Sequence, residues 1–500
     1  MATSGGAAQS DTDVETGVET DKKLRRKVIA LAAAGAIGGF LFGFDSSVVN
    51  GAVDAIQRDF SLTAAFTGFA VASALLGCAV GAYLAGRLAD RLGRIPVMLI
   101  GAILFLVSSI GSGLAFAAWD LTVWRLIGGL GIGIASVIAP AYISEIAPKA
   151  IRGSLASLQQ LAITIGIFTA LLSDAVLANV AGGANEVFFL GLDAWRWMFL
   201  VCAVPAIVYG VVALRLPESP RFLLMTDKKD KATKVLASIT PANQLDRAVA
   251  DIEAGIREDA ANADKNSLRG KRFGLLPIVW VGIILSMLQQ LVGINVIFYY
   301  STTLWSSVGF KESDSLTISV ITSVTNVAVT FVAIFLVDKV GRRPILLFGS
   351  VGMAVALGSM TLAFSQAQLV DGKPSLEGAW GIIALIGANL FVVAFGASWG
   401  PLVWVLLGEI FPTRIRGRAL GVAAAAQWLT NFAVTMTFPI ISQDVSLTLA
   451  YGLYAAFAAL SFFFVFFKIP ETKGVALEET GSLSVVRGRK REKDGVGGAE

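Results

Sequence analysis

Twelve runs of about twenty apolar residues, separated by short charged stretches, leave this chain few places to fold other than a lipid bilayer. They fall at 28–49, 64–86, 95–117, 121–141, 155–178 and 196–215, and again at 275–300, 316–337, 345–365, 379–407, 419–441 and 447–467, the tenth long enough to be bent or tilted. A backbone crossing lipid must satisfy its own polar groups, and runs of this length do so as helices. The expected fold class is therefore an all-α membrane protein of twelve transmembrane helices in two six-helix halves. Glycine is abundant at 52 residues, which fits close helix–helix approach. Cys78 and Cys202 both sit inside apolar runs, so neither a disulfide framework nor a metal site is expected. The absence of histidine removes histidine proton relays and histidine metal sites together. No nucleotide loop or catalytic triad is visible, so the reading is of a protein without cofactor that is not an enzyme and binds no nucleic acid.

The charges divide the chain. Residues 1–27 form a polar tail that reads as disordered, 28–215 the first half, 216–272 a charged central segment, 273–468 the second half and 469–500 a second tail. The first apolar run is too long for a cleavable signal peptide. Of the 40 lysines and arginines, 35 fall on the side shared by the tails and the central segment. By the positive-inside rule these parts are expected in the cytoplasm. In the central segment, 232–239 and 245–256 carry helical apolar spacing and predict short amphipathic helices.

The halves repeat each other. Ala89-Asp90-Arg91-Leu92-Gly93-Arg94-Ile95-Pro96 returns as Val337-Asp338-Lys339-Val340-Gly341-Arg342-Arg343-Pro344. At a second offset Glu145 answers to Glu409, Pro148 to Pro412, Arg152 to Arg416 and Gly153 to Gly417, although Pro140 meets Trp404. Unequal loops between duplicated halves give two offsets, and duplicated halves are a transporter architecture with a central site.

Polar groups inside the apolar runs mark that site. Gln289, Gln290, Asn295, Tyr299 and Tyr300 lie in one run. Amides and phenols, rather than charges, suit a neutral ligand rich in hydroxyls. Gly293 could let this helix unwind and bring the amides together; the alternative is amides that tie helix to helix. Asp45 and Arg125 lie at similar depth in the first and fourth runs, each about five residues from the far end, and a buried pair is the ordinary solution for such charges. A permanent salt bridge and a proton-binding acid both remain open for them.

These motifs make the chain resemble a sugar porter of the major facilitator superfamily over about residues 28–475, most closely the bacterial hexose/proton symporters. The resemblance rests on Gly86 to Arg94, Pro217-Glu218-Ser219-Pro220-Arg221, Gln289 to Tyr300, Val337 to Arg343, Gly400-Pro401 to Trp404, Glu409 to Gly417 and Pro470-Glu471-Thr472-Lys473-Gly474. It implies the major facilitator fold and sugar contacts at Gln160, Gln289, Gln290, Asn295, Asn326, Trp404, Gln427 and Trp428, with Phe42 as an apolar neighbour. Ile167 stands where xylose symporters carry a further glutamine, which favours a hexose. The resemblance also implies proton coupling at Asp45 with Arg125. It implies a cytoplasmic gate of Asp90, Arg91, Arg94, Glu145, Arg152, Glu218, Arg221, Asp338, Arg342, Arg343, Glu409, Arg416 and Glu471.

The expectation is a monomer in the cell membrane, both termini cytoplasmic, whose partners are a small sugar, the proton and the bilayer. It would take up glucose with protons by alternating access. A uniporter, and a sensor that binds sugar without moving it, are the alternatives.

Overall fold

The computed structural model describes residues 7–147, 152–261, 268, 270, 274–370, 373–376, 378–411 and 415–472. Among them are twelve helical spans long and apolar enough to cross a membrane, labelled here α1 to α12. The first half holds α1 (Leu24–Asp59), α2 (Ala64–Leu92), α3 (Arg94–Gly113), α4 (Ala118–Ile146), α5 (Leu158–Ala181) and α6 (Ala194–Arg215). The second holds α7 (Pro277–Tyr299), α8 (Glu312–Ala333), α9 (Arg342–Ser365), α10 (Ala379–Ile410), α11 (Arg418–Val445) and α12 (Leu447–Lys468). An even number of spans brings the start of α1, the central segment and the end of α12 to one face, called here the terminal face. The other is the far face.

Two features of the first helix differ from expectation, and a third, in the tenth, goes further than it. The backbone is helical from Ala7, through the segment expected as a disordered tail. Extending an existing helix needs no new nucleus, which lets a segment rich in threonine and aspartate continue one. At its other end α1 runs on to Asp59, so Asp45 lies well inside the helix rather than about five residues from its end. Asn50 and Asp54 continue the helix because partners on the other half satisfy them, as shown below. Span α10 is broken between Gly396 and Trp399 into two helices.

The halves pack along three seams: α1 against α7 and the short helix Ser301–Ser307, α2 against α11, and α5 against α8. Within the first half, α2 and α4 touch backbone to backbone. A Cβ at Gly77, Gly81, Gly129 or Gly133 would meet the facing main chain. Such contact replaces the hydrophobic drive that lipid does not supply.

Between the halves run the helices Pro220–Met225, Lys229–Ala237 and Leu245–Ala261. Lys229 Nζ donates to Glu253 Oε1 at 2.8 Å, and that hydrogen bond holds the Glu253 carboxyl below its ordinary range.

Candidate functional site

The amide-rich stretch is where α7 breaks. Its first part ends at Leu291, Gly293 takes the left-handed conformation with φ of 79°, and a second short helix begins at Ile294. Only glycine fits there: the conformation is strained for any side chain, and a Cβ would stand 2.6 Å from the Tyr454 ring. The break turns Asn295 back toward the first part, where its Nδ2 donates to Gln290 Oε1 at 2.6 Å. Gln290 Nε2 in turn lies 3.5 Å from Gln289 Oε1. Gln289 Nε2 donates to the carbonyls of Trp399 at 2.8 Å and Gly400 at 3.3 Å, beside the break in α10. Gln289 therefore ties one broken helix to the other, while Gln290 and Asn295 are brought together across the break.

The other expected sugar contacts lie on α1, α5, α8, α10 and α11. Phe42 of α1 meets Trp428 of α11 edge-on at 5.2 Å, across the two halves. Gln427 is buried and its Oε1 has no hydrogen-bond partner. Asn326 is buried on α8, with its Oδ1 turned to Gly396 at the break in α10. Gln160 is half-buried on α5. Trp404 departs from the others, being 40% exposed between buried Val403 and Leu406.

Asp45 and Arg125 form the expected pair. Arg125 Nη1 stands 2.6 Å from Asp45 Oδ1, and each residue is only 4% exposed. The guanidinium also lies over the Phe199 ring at 5.7 Å, while its Nε has no hydrogen-bond partner. Beside the pair is a small cavity lined by Phe42, Ser46, Val49 and Tyr299 as well as the two charges. The Tyr299 hydroxyl is buried without a hydrogen bond of good geometry. The cavity thus joins the charge pair of the first half to the broken helix of the second. Phe42, Asp45, Arg125 and Tyr299 each stand out in the sequence, but their meeting on one cavity does not, because α1 and α7 are far apart in the chain.

Toward the far face the halves are hydrogen-bonded together. Asn50 receives a bond from Thr302 N at 3.0 Å on its Oδ1 and donates from Nδ2 to Ser319 Oγ at 3.2 Å. Thr302 Oγ1 donates to the Asn50 carbonyl, and Thr303 Oγ1 to Asp54 Oδ1 at 2.6 Å. Ala184 N donates to Glu312 Oε1 at 3.0 Å. These residues were missed from the sequence, since a lone asparagine or threonine near a helix end carries no signal of its own. The molecule is closed at the far face.

At the terminal face two like clusters stand, one in each half. Arg94 holds Glu145 in a two-pronged contact at 2.7 and 2.9 Å, and Glu218 accepts from the backbone N–H groups of Arg94 and Ile95 at the start of α3. In the second half Arg342 meets Glu409 at 3.0 Å, and Glu471 accepts from the N–H groups of Arg342 and Arg343 at the start of α9. A carboxylate belongs at a helix N-terminus, where free N–H groups and the dipole favour negative charge. Gly93 and Gly341, at φ of 102° and 103°, let the carboxylates approach; a Cβ on Gly341 would come within 2.9 Å of Glu471 Oε2. The structure therefore adds a further repeated pair, Glu218 with Glu471, to the repeats read from sequence.

Of the remaining gate candidates, Asp90 is exposed and stands 3.6 Å from Arg94. Arg91 is exposed and Arg221 half-buried. The side chains of Arg152, Asp338 and Arg416 lie outside the described residues.

Residues 31–483 match the family described as “Sugar (and other) transporter”. The chain is 52% identical over 453 residues to a glucose transport protein of Synechocystis, covering 90% of this chain and 96% of that protein. It is 35% identical over 489 residues to the D-xylose-proton symporter of Escherichia coli, covering 91% and 95%. Among solved structures it is similar to the partially occluded inward-open form of the xylose transporter XylE from E. coli, with a TM-score of 0.77 at 33% identity over 90% of this chain and 99% of that one. The proton:xylose symporter XylE bound to 6-bromo-6-deoxy-D-glucose gives 0.76 at 34% identity over 91% and 98%. With twelve spans in two repeated halves, the chain belongs to the sugar transporter family of the major facilitator superfamily.

Proposed function

We propose that this protein takes up a hexose, glucose first, together with protons, by alternating access between its halves. The observation that carries this reading is the buried Asp45–Arg125 pair, set on one cavity with Phe42 and with Tyr299 of the broken helix. A charge pair sealed from water is costly unless it is used or fully satisfied, and intramembrane ionisable groups mark ion pathways. When Asp45 takes a proton it loses its charge and its hold on Arg125. The packing around Phe42 and Tyr299 can then respond on both halves. The chain's similarity to a glucose transport protein and to a D-xylose-proton symporter supports both parts of the reading.

The sugar lies between the halves. Gln290 and Asn295 exchange their mutual hydrogen bond for bonds to sugar hydroxyls, Gln160, Asn326 and Gln427 supply further amides, and Trp404 and Trp428 cover the apolar ring face. The terminal face is cytoplasmic, by the weight of its lysines and arginines. The structure then corresponds to the form closed to the outside. Each cytoplasmic cluster here is internal to its half; when the inner side closes, their charges latch the halves across the gap. The unit of transport is a monomer, and it performs no covalent chemistry.

Uptake of labelled glucose into proteoliposomes, competed by a panel of sugars, tests the substrate. Glucose is expected to compete best, and Gln290→Ala to raise the apparent KM about two- to tenfold, the worth of one net hydrogen bond. Stronger competition by xylose than by glucose would contradict the hexose assignment.

A further inference from the structure

One buried carboxyl takes no part in the scheme above. Asp174 of α5 is 0% exposed, at the same end of the bundle as the hydrogen bonds of Asn50. Its Oδ2 accepts from the backbone N–H of Gly51 on α1 at 3.3 Å, and its Oδ1 has no hydrogen-bond partner. The fit is close: a Cβ on Gly51 would stand 2.6 Å from the Asp174 Cβ and 2.9 Å from Oδ2. Gly51 is about 9 Å along α1 from Asp45 at the rise of an α-helix.

The charged and titratable groups near Asp174 are few. Cys202 lies buried at the middle of α6, a span that packs on α5. Arg125 is committed to Asp45 at 2.6 Å, and among the described residues no cation pairs with Asp174. Directly next to Gly51 is Asn50, whose bonds to Thr302 and Ser319 join the halves. Span α5 also lies on the seam with α8. Asp174 is therefore fully buried, its bond to Gly51 one residue along α1 from the contacts that join the halves at the far face.

An uncompensated carboxylate in such surroundings is expensive, and the ordinary remedy is a proton. We propose that Asp174 is a second proton-binding carboxyl of the transport cycle. It holds a proton on Oδ1 while the Asn50 contacts are closed and exchanges that proton with outside water when they open. The step forms or breaks one O–H bond, with water on the outer side as the source and the acceptor of the proton; no other bond changes. The inference rests on the reading of this chain as a proton symporter. Asp174 stands outward of Asp45, so a proton arriving from outside reaches its depth first.

The competing role is a permanently neutral acid that only ties α5 to α1. Asp174→Asn separates the two, because the amide keeps the shape and the acceptor for Gly51 while losing the titration. In proteoliposomes the wild type and Asp174→Asn are compared for protons moved per sugar, from the reversal potential, and for the pH profile of uptake. The expected result is about half the wild-type proton ratio and one titration step fewer, two coupled sites having become one. Gradient-free sugar exchange should persist. An Asp174→Asn protein with the wild-type ratio and pH profile overturns this inference alone. A wild type that moves no protons overturns the symport reading and this one with it.

If Asp174→Asn does not fold, the infrared spectrum of Asp45→Asn protein decides instead. A neutral carboxylic C=O band that persists when Asp54→Asn is added and is lost on alkaline titration with sugar present supports the second site. A spectrum without such a band, or with one that never responds, overturns it.

Discussion

Asp45 and Arg125 show what a single residue can do in this setting. With both groups 4% exposed and 2.6 Å apart, removing one partner strands the other, a cost of about 3–5 kcal/mol in buried pairs. Protonation of Asp45 imposes part of that cost reversibly, and so can drive a rearrangement. Asp45→Asn fixes the neutral state. It is expected to abolish accumulation against a gradient while sugar exchange at equal concentrations continues, as measured by counterflow in proteoliposomes. Accumulation at the wild-type level in Asp45→Asn would place the coupling elsewhere. The pairing itself was readable from sequence, because two lone charges at matched depth in antiparallel helices have few other partners. The depth was not, since α1 continues beyond its apolar run to Asp59. Nor was Asp174 singled out. Its partner is a backbone N–H, which no side-chain pattern announces.

At the scale of elements, the proposed sugar site depends most on the broken helix. Gly293 at φ 79° costs nothing as glycine, whereas an alanine in this region is disfavoured by about 1–2 kcal/mol. The Tyr454 ring, 2.6 Å from the added Cβ, must also move. Gly293→Ala is therefore expected to separate Asn295 from Gln290, lower the Tm in detergent and weaken sugar binding at least tenfold by equilibrium dialysis. Unchanged affinity would mean that the break does not form the site. The sequence signalled this element through a glycine among amides. The break in α10 was visible only as a run too long to be straight, and its role appears with the Gln289 bonds to Trp399 and Gly400. The helix-capping glutamates were harder to read. Glu218 and Glu471 sit in similar Pro-Glu motifs, but the helix starts they cap are 124 and 129 residues away, and only folding joins them.

At the scale of the molecule, the twelve spans and their repetition follow from apolar length and charge placement alone, since lipid admits few other solutions. The conformational state does not, because both states bury the same apolar runs and differ in a handful of seams. Here the seam at the far face is closed by Asn50, Thr302, Ser319, Thr303 and Asp54. Two states of one transporter differ by a few kcal/mol, and each of these bonds contributes about 0.5–1.5 kcal/mol. Asn50→Ala removes two bonds to its amide and should shift the population toward the outward-open form. A cysteine placed at Ser315, one turn outward of Ser319 on α8 and hydrogen-bonded only within its own helix, should then react with a membrane-impermeant thiol reagent from outside about five- to thirtyfold faster than in the Asn50 background. The native cysteines are buried and give a low background. Equal rates would show that Asn50 does not hold the seam.

The central claim is that sugar movement is tied to proton movement through this fold. The direct measurement is glucose uptake by proteoliposomes of the purified protein, with equal glucose inside and out and a proton gradient imposed, acid outside. Glucose should accumulate above the outside concentration, and the accumulation should collapse on adding a protonophore. Equal concentrations maintained despite the gradient would identify a uniporter and contradict the assignment of Asp45 as a coupling group.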